Sequence, residues 1–348
     1  MMTVHDLETP SVLIDLDRME RNIARMQDYC NAHGLAFRAH IKTHKIPDIA
    51  RAQLDAGAVG IACQKVSEAE VFARAGINNI QIPYNIVGPK KTARLADLAF
   101  YNKVTVSADH PITVRGLADA ARANDINISV LVELMTEIER TGAPVEEVVN
   151  LAQQIDRDEY LHFAGLLVYP TNPSIRPVLQ EALSGLNAAG IGVDVVSGGG
   201  TGAAFHAHEV PEVTEIRVGT YVFNDWRTVR RGWAAFEDCA MTIAATVVSR
   251  PTSDRAILDS GSKTLSNDHE NGLHGYIVEY PEARIYQLSE EHGHVDMSAC
   301  ENRPTVGERV HVIPVHTCVV TNLHNEIYGV RGEEVEVVWP VAARGLVW

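Results

Sequence analysis

The sequence predicts an α/β fold: a TIM-type (β/α)8 barrel followed by a C-terminal all-β domain. Three observations carry this. Eight short β-rich runs alternate with helical patterns over roughly 200 residues. Several of those runs are near-continuously apolar, as strands covered on both faces are. Near Phe236 the rhythm changes to short strands separated by turns, with no convincing helix. A doubly wound open sheet is the rival arrangement, but it rarely extends to eight such regular units. The expected domains are residues 1–235 for the barrel and 236–348 for the β-domain.

Taken in order, the barrel strands are AFRAHIK (36–42), GIACQ (60–64), IQIPY (80–84), KVTVSAD (103–109), ISVLVEL (128–134), FAGLLVY (163–169), VDVVSGG (193–199) and EIRVGTYV (215–222). The stretch DLDRMERNIARMQDYCNAHG has apolar residues at helical spacing, an Asp start and a Gly stop. SEAEVFARAG and PVEEVVNLAQQI read the same way. Beyond Phe236 the strands are AMTIAATVVSR, RAILDSG, GYIVEY, RIYQLS, RVHVIPV, NEIYGV and EEVEVVW. No internal repeat and no low-complexity segment interrupts the pattern.

The 348 residues suit one large domain or two of ordinary size. Hydrophobic residues make up 46% and charged residues 22%, the composition of a globular chain with a sizeable core. The net charge of -15 argues against nucleic acid or an anionic membrane as the main partner. MMTVHDLETP lacks the basic start and apolar run of a secretory leader, and no window is apolar enough to span a membrane. Five scattered cysteines (Cys30, Cys63, Cys239, Cys300, Cys318) fit a reducing cytoplasm better than a disulfide framework.

Active sites of such barrels gather at the C-terminal ends of the strands, and the loops after strands seven and eight often bind phosphate. Here strand seven ends in SGGGTG and strand eight runs into GTY. Gly199, Gly200 and Gly219 let backbone N–H groups approach an anion, and the hydroxyls of Ser197, Thr201 and Thr220 add donors, with Tyr221 next in line. Three glycines in a row also suit a merely flexible loop. The motif is neither a P-loop nor a dinucleotide fingerprint.

Strand one ends in RAHIKTHK, a basic cluster in an acidic chain. A lysine at that end, facing a phosphate site, suggests a Schiff base between Lys42 and pyridoxal 5'-phosphate (PLP). Neighbouring Arg38, His40, His44 and Lys45 would lower its pKa and help hold the phosphate. Arg38, His40 and Lys42 alternate, so they share one strand face, the interior in a barrel. The bland alternative is a solvated basic rim.

RAHIKTHK, CQKVSEAE, SGGGTG, GTYVFND, DSGSKTLS, LSEEHG and PVHTC fall in the order of the D-threonine aldolase and D-serine dehydratase family, fold-type III PLP enzymes related to alanine racemase. The resemblance runs from TPSVLIDLDRMERNI to WPVAARG and is closest to the D-threonine-aldolase-like branch. It implies that Lys42, not Lys45, carries the Schiff base, and that the two Gly/Thr loops cradle the phosphate. It implies Arg140 near the cofactor's phenolic oxygen, Tyr169 beside the cofactor, and Arg217 at the pyridine nitrogen. Two stretches depart from the family pattern. MTEIER has Met135 and Glu137 where relatives have Asp and Gly, and YPTNPS stands where a Gly-His often follows the tyrosine.

His316 and Cys318, in HTC, would point to one face of a strand, workable for metal ligation. Two ligands suit an open catalytic site, and a chance pair is the alternative. The resemblance implies a divalent metal here. Thiolate plus imidazole favours zinc over manganese or magnesium. In the family, His-x-Cys is the dehydratase tendency and His-x-Asp is found in aldolases.

The expected function is therefore a PLP- and metal-dependent lyase on D-3-hydroxy amino acids, cleaving them to glycine and an aldehyde. The alternative is a zinc-dependent dehydratase of D-serine or D-3-hydroxyaspartate, giving a keto acid and ammonia. A non-catalytic PLP-binding protein and an amino-acid racemase are further alternatives. The resemblance also implies a homodimer. His206, His208 and His292 are acid/base candidates that more often prove structural.

Overall fold

The structure is a computed structural model and describes residues 2–348. The chain opens with β1 (Ser11–Asp15) and α1 (Leu16–Ala32). The barrel strands follow: β2 (Ala36–His40), β3 (Gly60–Ala62), β4 (Asn79–Asn85), β5 (Lys103–Ala108), β6 (Ile128–Glu133), β7 (Leu161–Leu167), β8 (Val195–Gly199) and β9 (Glu215–Val218). The helices among them are α2 (Pro47–Asp55), α3 (Val66–Arg74), α4 (Pro89–Tyr101), α5 (Pro111–Asn124), α6 (Val145–Asp156) and α7 (Arg176–Ala188). All eight predicted strands are present, in order and parallel, and β9 pairs with β2 to close the barrel. Apolar pattern explains each piece. In β6 every residue but Ser129 is buried, and α6 buries Val148, Leu151, Ala152 and Ile155, one helical face.

The chain divides into two compact units. One holds Arg25–Lys42, Pro47–Gly219 and Leu346–Trp348. Its interior is not purely apolar. Arg38 donates from Nε to Glu215 at 2.8 Å and from Nη1 to Asn79 at 3.1 Å. Gln81 donates to the other Glu215 oxygen at 3.1 Å, and the Ser197 hydroxyl donates to that same oxygen. Removing one partner of a buried pair strands the other charge away from water. Glu215→Ala is therefore expected to lower stability by about 3–5 kcal/mol in chemical denaturation; a loss under about 1 kcal/mol would contradict a paired interior.

The second unit holds residues 1–24, Thr43–Ile46 and Thr220–Gly345. It contains α8 (Trp226–Arg230), β10 (Met241–Thr252), β11 (Arg255–Leu258), α9 (Ser262–Leu265), β12 (Gly275–Ile277), β13 (Arg284–Leu288), β14 (Gly293–Asp296), β15 (Arg309–Pro314), α10 (Thr317–Leu323), β16 (Glu326–Arg331) and β17 (Glu334–Pro340). These strands and β1 form one sheet in the order β13-β14-β11-β10-β1-β16-β17, with β15 on β10 and β12 on β15.

Three expectations need correction. The barrel does not begin at residue 1: β1 pairs antiparallel with β10 (Ile14 opposite Met241) and parallel with β16 (Leu13 opposite Tyr328). Residues 2–24 thus fold with the β-domain. The β-domain is not helix-free, because VHTCVVTNL enters α10 at Thr317. And β14, not expected as a strand, pairs with β11 and β13. Among the described residues no helix is long and apolar enough to cross a membrane. All five cysteines are free thiols.

Candidate active site

The basic run divides its residues among different tasks. β2 ends at His40, and Ile41–Thr43 form a single 3₁₀ turn, so Lys42 stands just past the C-terminal end of its strand. Its ammonium is half-buried and has no hydrogen-bond or ion-pair partner among the described residues. The neighbours are committed elsewhere. Arg38 belongs to Glu215. His40 is buried, with Nε2 3.1 Å from Gln64 Oε1. Burial, aided by Lys42 and Arg217, holds its pKa well below the ordinary imidazole value. His40 is thus a neutral group, not the cation expected from the run.

After Lys42 the chain passes to the second unit. His44 is fully buried there and accepts from the Ile46 N–H at 3.1 Å. Lys45 is buried too, with Nζ donating to Asn322 Oδ1 at 2.8 Å, so it is no solvated rim residue. Thr43, covalently next to Lys42, has its hydroxyl 3.2 Å from Cys318 Sγ.

The ends of β8, β9 and β2 lie side by side in the barrel. At the end of β8, Gly199 leaves little room for a side chain: a Cβ would sit 3.1 Å from the Arg217 carbonyl oxygen and 3.5 Å from the Tyr169 ring. Gly200 has φ of 118°, a region that glycine tolerates, and leads into the turn Thr201–Ala203. Thr171 Oγ1 accepts from the Gly199 N–H at 2.8 Å and fixes the turn from behind. Gly219 ends the barrel unit beside it. Thr220 and Tyr221 follow in a turn of the second unit; Tyr221 is buried, and Thr220 Oγ1 lies 4.0 Å from Cys318 Sγ.

Ser197 does not join the glycine turn. It is fully buried, bonded to Glu215 and to Arg217 Nη1, the latter at 2.5 Å. Arg217 itself is buried, and burial pulls its guanidinium down to about 10 against the carboxylates of Glu215 and Glu133. Arg140, on the loop after β6, stacks over the Tyr169 ring with its guanidinium carbon 4.5 Å from the ring centre. The barrel therefore presents an unpaired amine and a glycine turn at the same end of its strands, with β9 between them. That combination suits a phosphate-bearing carbonyl cofactor.

In the second unit, His316 and Cys318 are not on a strand as expected. His316 is the residue before α10 and Cys318 is in its first turn. The two side chains still meet in a hydrogen bond. Asp225, fully buried at the start of α8, accepts from His316 Nδ1 at 2.9 Å. Burial opposes charging of His316, but Cys318 and Asp225 outweigh it and raise the imidazole to about 10. A carboxylate on one ring nitrogen leaves the other for a metal, the usual outer support of a histidine ligand. Among the described residues no three His, Cys, Asp or Glu side chains form a metal cluster. The donor set is an imidazole and a thiol, which fits an open zinc-type position rather than a closed one.

Sequence reasoning missed Asp225, Gln64 and Thr171. Asp225 stood in the quoted GTYVFND, but nothing in its neighbourhood marks it as a partner of a histidine 91 positions on.

The description "Alanine racemase, N-terminal domain" matches residues 14–225, and a serine dehydratase domain matches residues 240–330. D-threonine aldolase of Arthrobacter sp is 35% identical, over 97% of this chain and 93% of its own length. The crystal structure of D-threonine aldolase from Filomicrobium marinum superposes with a TM-score of 0.93 at 32% identity, covering 100% of this chain and 98% of that one. An alanine-for-cysteine mutant of D-threo-3-hydroxyaspartate dehydratase, solved in the metal-free form, gives a TM-score of 0.88 at 27% identity, covering 98% and 99%. With a barrel of alanine racemase type, a dehydratase-type β-domain and full-length identity above 30%, the chain belongs to the D-threonine aldolase and D-serine dehydratase family of alanine-racemase-like proteins.

Proposed function

We propose that this protein is a PLP- and divalent-metal-dependent lyase that cleaves D-3-hydroxy amino acids, D-threonine among them, to glycine and an aldehyde. The observation that carries the reading is Lys42: of the run's cations it alone stands unpaired at the C-terminal end of the barrel strands, the end at which the glycine turn of β8 also lies, one strand removed. When bound, PLP supplies an electron sink for the charge left at Cα, and the metal supplies a Lewis acid for the 3-hydroxyl.

The chain's own residues have distinct tasks in this scheme. Lys42 holds the cofactor covalently. The backbone N–H groups at Gly200, Thr201 and Gly219 would take the phosphate, while Gly199, whose own N–H is held by Thr171, leaves space beside them. Buried Arg217, a donor that keeps its proton, would be the residue to hold the pyridine nitrogen and would leave it unprotonated. Neutral His40 lines the mouth without adding a charge. Arg140, stacked on Tyr169, would hold the cofactor at its phenolic side. Asp225 fixes the His316 ring so that His316 and Cys318 can bind zinc, with manganese or magnesium less suited to a thiolate. On this reading the enzyme works as a homodimer in the cytoplasm.

The His-x-Cys pair favours a second reading, dehydration to a keto acid and ammonia. In that reaction Lys42 would take the α-proton. The cysteine mutant of the similar dehydratase, solved metal-free, supports a metal at such a cysteine. Incubating the protein, PLP and zinc with D-threonine and with D-3-hydroxyaspartate separates the readings. Acetaldehyde and glycine from D-threonine are expected. 2-Oxobutyrate and ammonia would transfer the assignment to the dehydratase, and no product from either amino acid would overturn both.

A further inference from the structure

We propose that Glu137 is a positioning residue whose carboxylate clips the loop after β6 to the loop after β7, and so holds Arg140 against Tyr169 at the barrel mouth. Two stretches of the sequence carry the argument, MTEIER and YPTNPS. They are 35 positions apart, and in the structure they meet: Asn172 Nδ2 donates to Glu137 Oε1 at 2.8 Å, and the Ser174 hydroxyl donates to Oε2 at 2.5 Å. Asn172 Oδ1 in turn accepts from the Ser174 N–H at 2.9 Å, so the receiving loop is itself closed. Both carboxylate oxygens are engaged, and these two bonds hold the Glu137 pKa below its ordinary value.

The clip is the outermost of a series along the same two segments. The Leu134 N–H donates to the Leu167 carbonyl at 2.9 Å, and the Thr136 hydroxyl donates to the Tyr169 carbonyl at 2.5 Å. Glu137 with Asn172 and Ser174 comes next. The base of the β6 loop is fixed separately: Thr141 Oγ1 donates to Glu133 at 2.7 Å, and the Gly142 N–H donates to Asp109 at 2.9 Å. That leaves the tip, residues 137–140, where Glu139 has φ of 46°, seldom adopted by a residue other than glycine, and Arg140 follows at once. Arg140 has no ion pair among the described residues and rests only on the Tyr169 ring. A cation held so lightly depends on its loop for its position, and Glu137 is the side chain that fastens the tip.

The role of Arg140 beside a cofactor rests on the proposed function; the clip does not. The test uses three variants of the full chain: Glu137→Ala, Glu137→Gln, whose amide can still accept from Asn172 and donate to Ser174, and Arg140→Ala. Hydrogen exchange of the cofactor-free protein should quicken in peptides covering 134–143 and 169–176 for Glu137→Ala, and stay near wild type for Glu137→Gln. In PLP titrations followed by absorbance, Glu137→Ala should weaken binding by roughly five- to tenfold, the net effect of one ordinary hydrogen bond, as suits an exposed carboxylate. Adding Glu137→Ala to Arg140→Ala should cost nothing more. Unchanged exchange in Glu137→Ala, or losses that add in full with Arg140→Ala, would overturn the proposal. If the wild type binds no PLP, the functional reading fails while the exchange data still decide the clip.

Discussion

Lys42→Ala is expected to give a folded, colourless protein with activity reduced on the order of 10⁴-fold, the scale on which a covalent catalytic group is lost. Wild type incubated with PLP should show an absorbance band near the visible edge that the variant lacks. The reasoning is one of partners. Arg38 is paired with Glu215, His40 is neutral and bound to Gln64, and Lys45 is bound to Asn322. No neighbouring amine is free to take over. Lys45→Ala is the control: it should keep the band and the activity, and its cost should fall on stability, because it empties a buried hydrogen-bonded position. A colourless Lys45→Ala protein together with a coloured Lys42→Ala protein would reverse the assignment.

Cys318→Ala is expected to do the opposite: to keep the Lys42-dependent band and lose both metal and turnover. A thiol in the first turn of α10, hydrogen-bonded to His316, has no neighbour of equal softness to replace it. His316→Ala should behave in the same way. Asp225→Asn separates ligand from support. It keeps the side-chain shape but weakens the hold on His316 Nδ1, and zinc affinity should fall by about 10- to 100-fold, the usual cost of an outer partner. Zinc content after dialysis, measured alongside the absorbance band, reads the two effects apart. Full zinc occupancy in Cys318→Ala would remove the metal from this pair.

The barrel was legible because its signals are local. Runs such as ISVLVE and the apolar face of α6 declare a strand and a helix within a dozen residues, and their alternation leaves few topologies. The order of β2 to β9 then put Lys42 and the glycine turn at the same end of the barrel, one strand apart. What was not legible depended on distant partners. SVLID is five residues before a strong helix, and only Met241 and Tyr328, more than 200 positions away, make it a strand of the β-domain. VHTCVVTNL is rich in β-branched residues, which favour strands, yet it turns into a short helix at Thr317. The same distance effect governs charge. The run RAHIKTHK looks uniformly basic, but burial keeps His40 neutral, and Glu215 and Asn322 engage Arg38 and Lys45, which leaves Lys42 free. Ser197 looked like a phosphate donor by its place in SGGGTG, and its burial against Glu215 and Arg217 turned it inward instead.

Borohydride reduction of the PLP-loaded protein, followed by peptide mass mapping, tests the central claim most directly, because it fixes the cofactor to whichever amine holds it. A single pyridoxyl label on the peptide carrying Lys42, absent when D-threonine is added before the reductant, is the predicted result. A label on Lys45 or Lys65, or no label at all from a protein that still cleaves D-threonine, would contradict it.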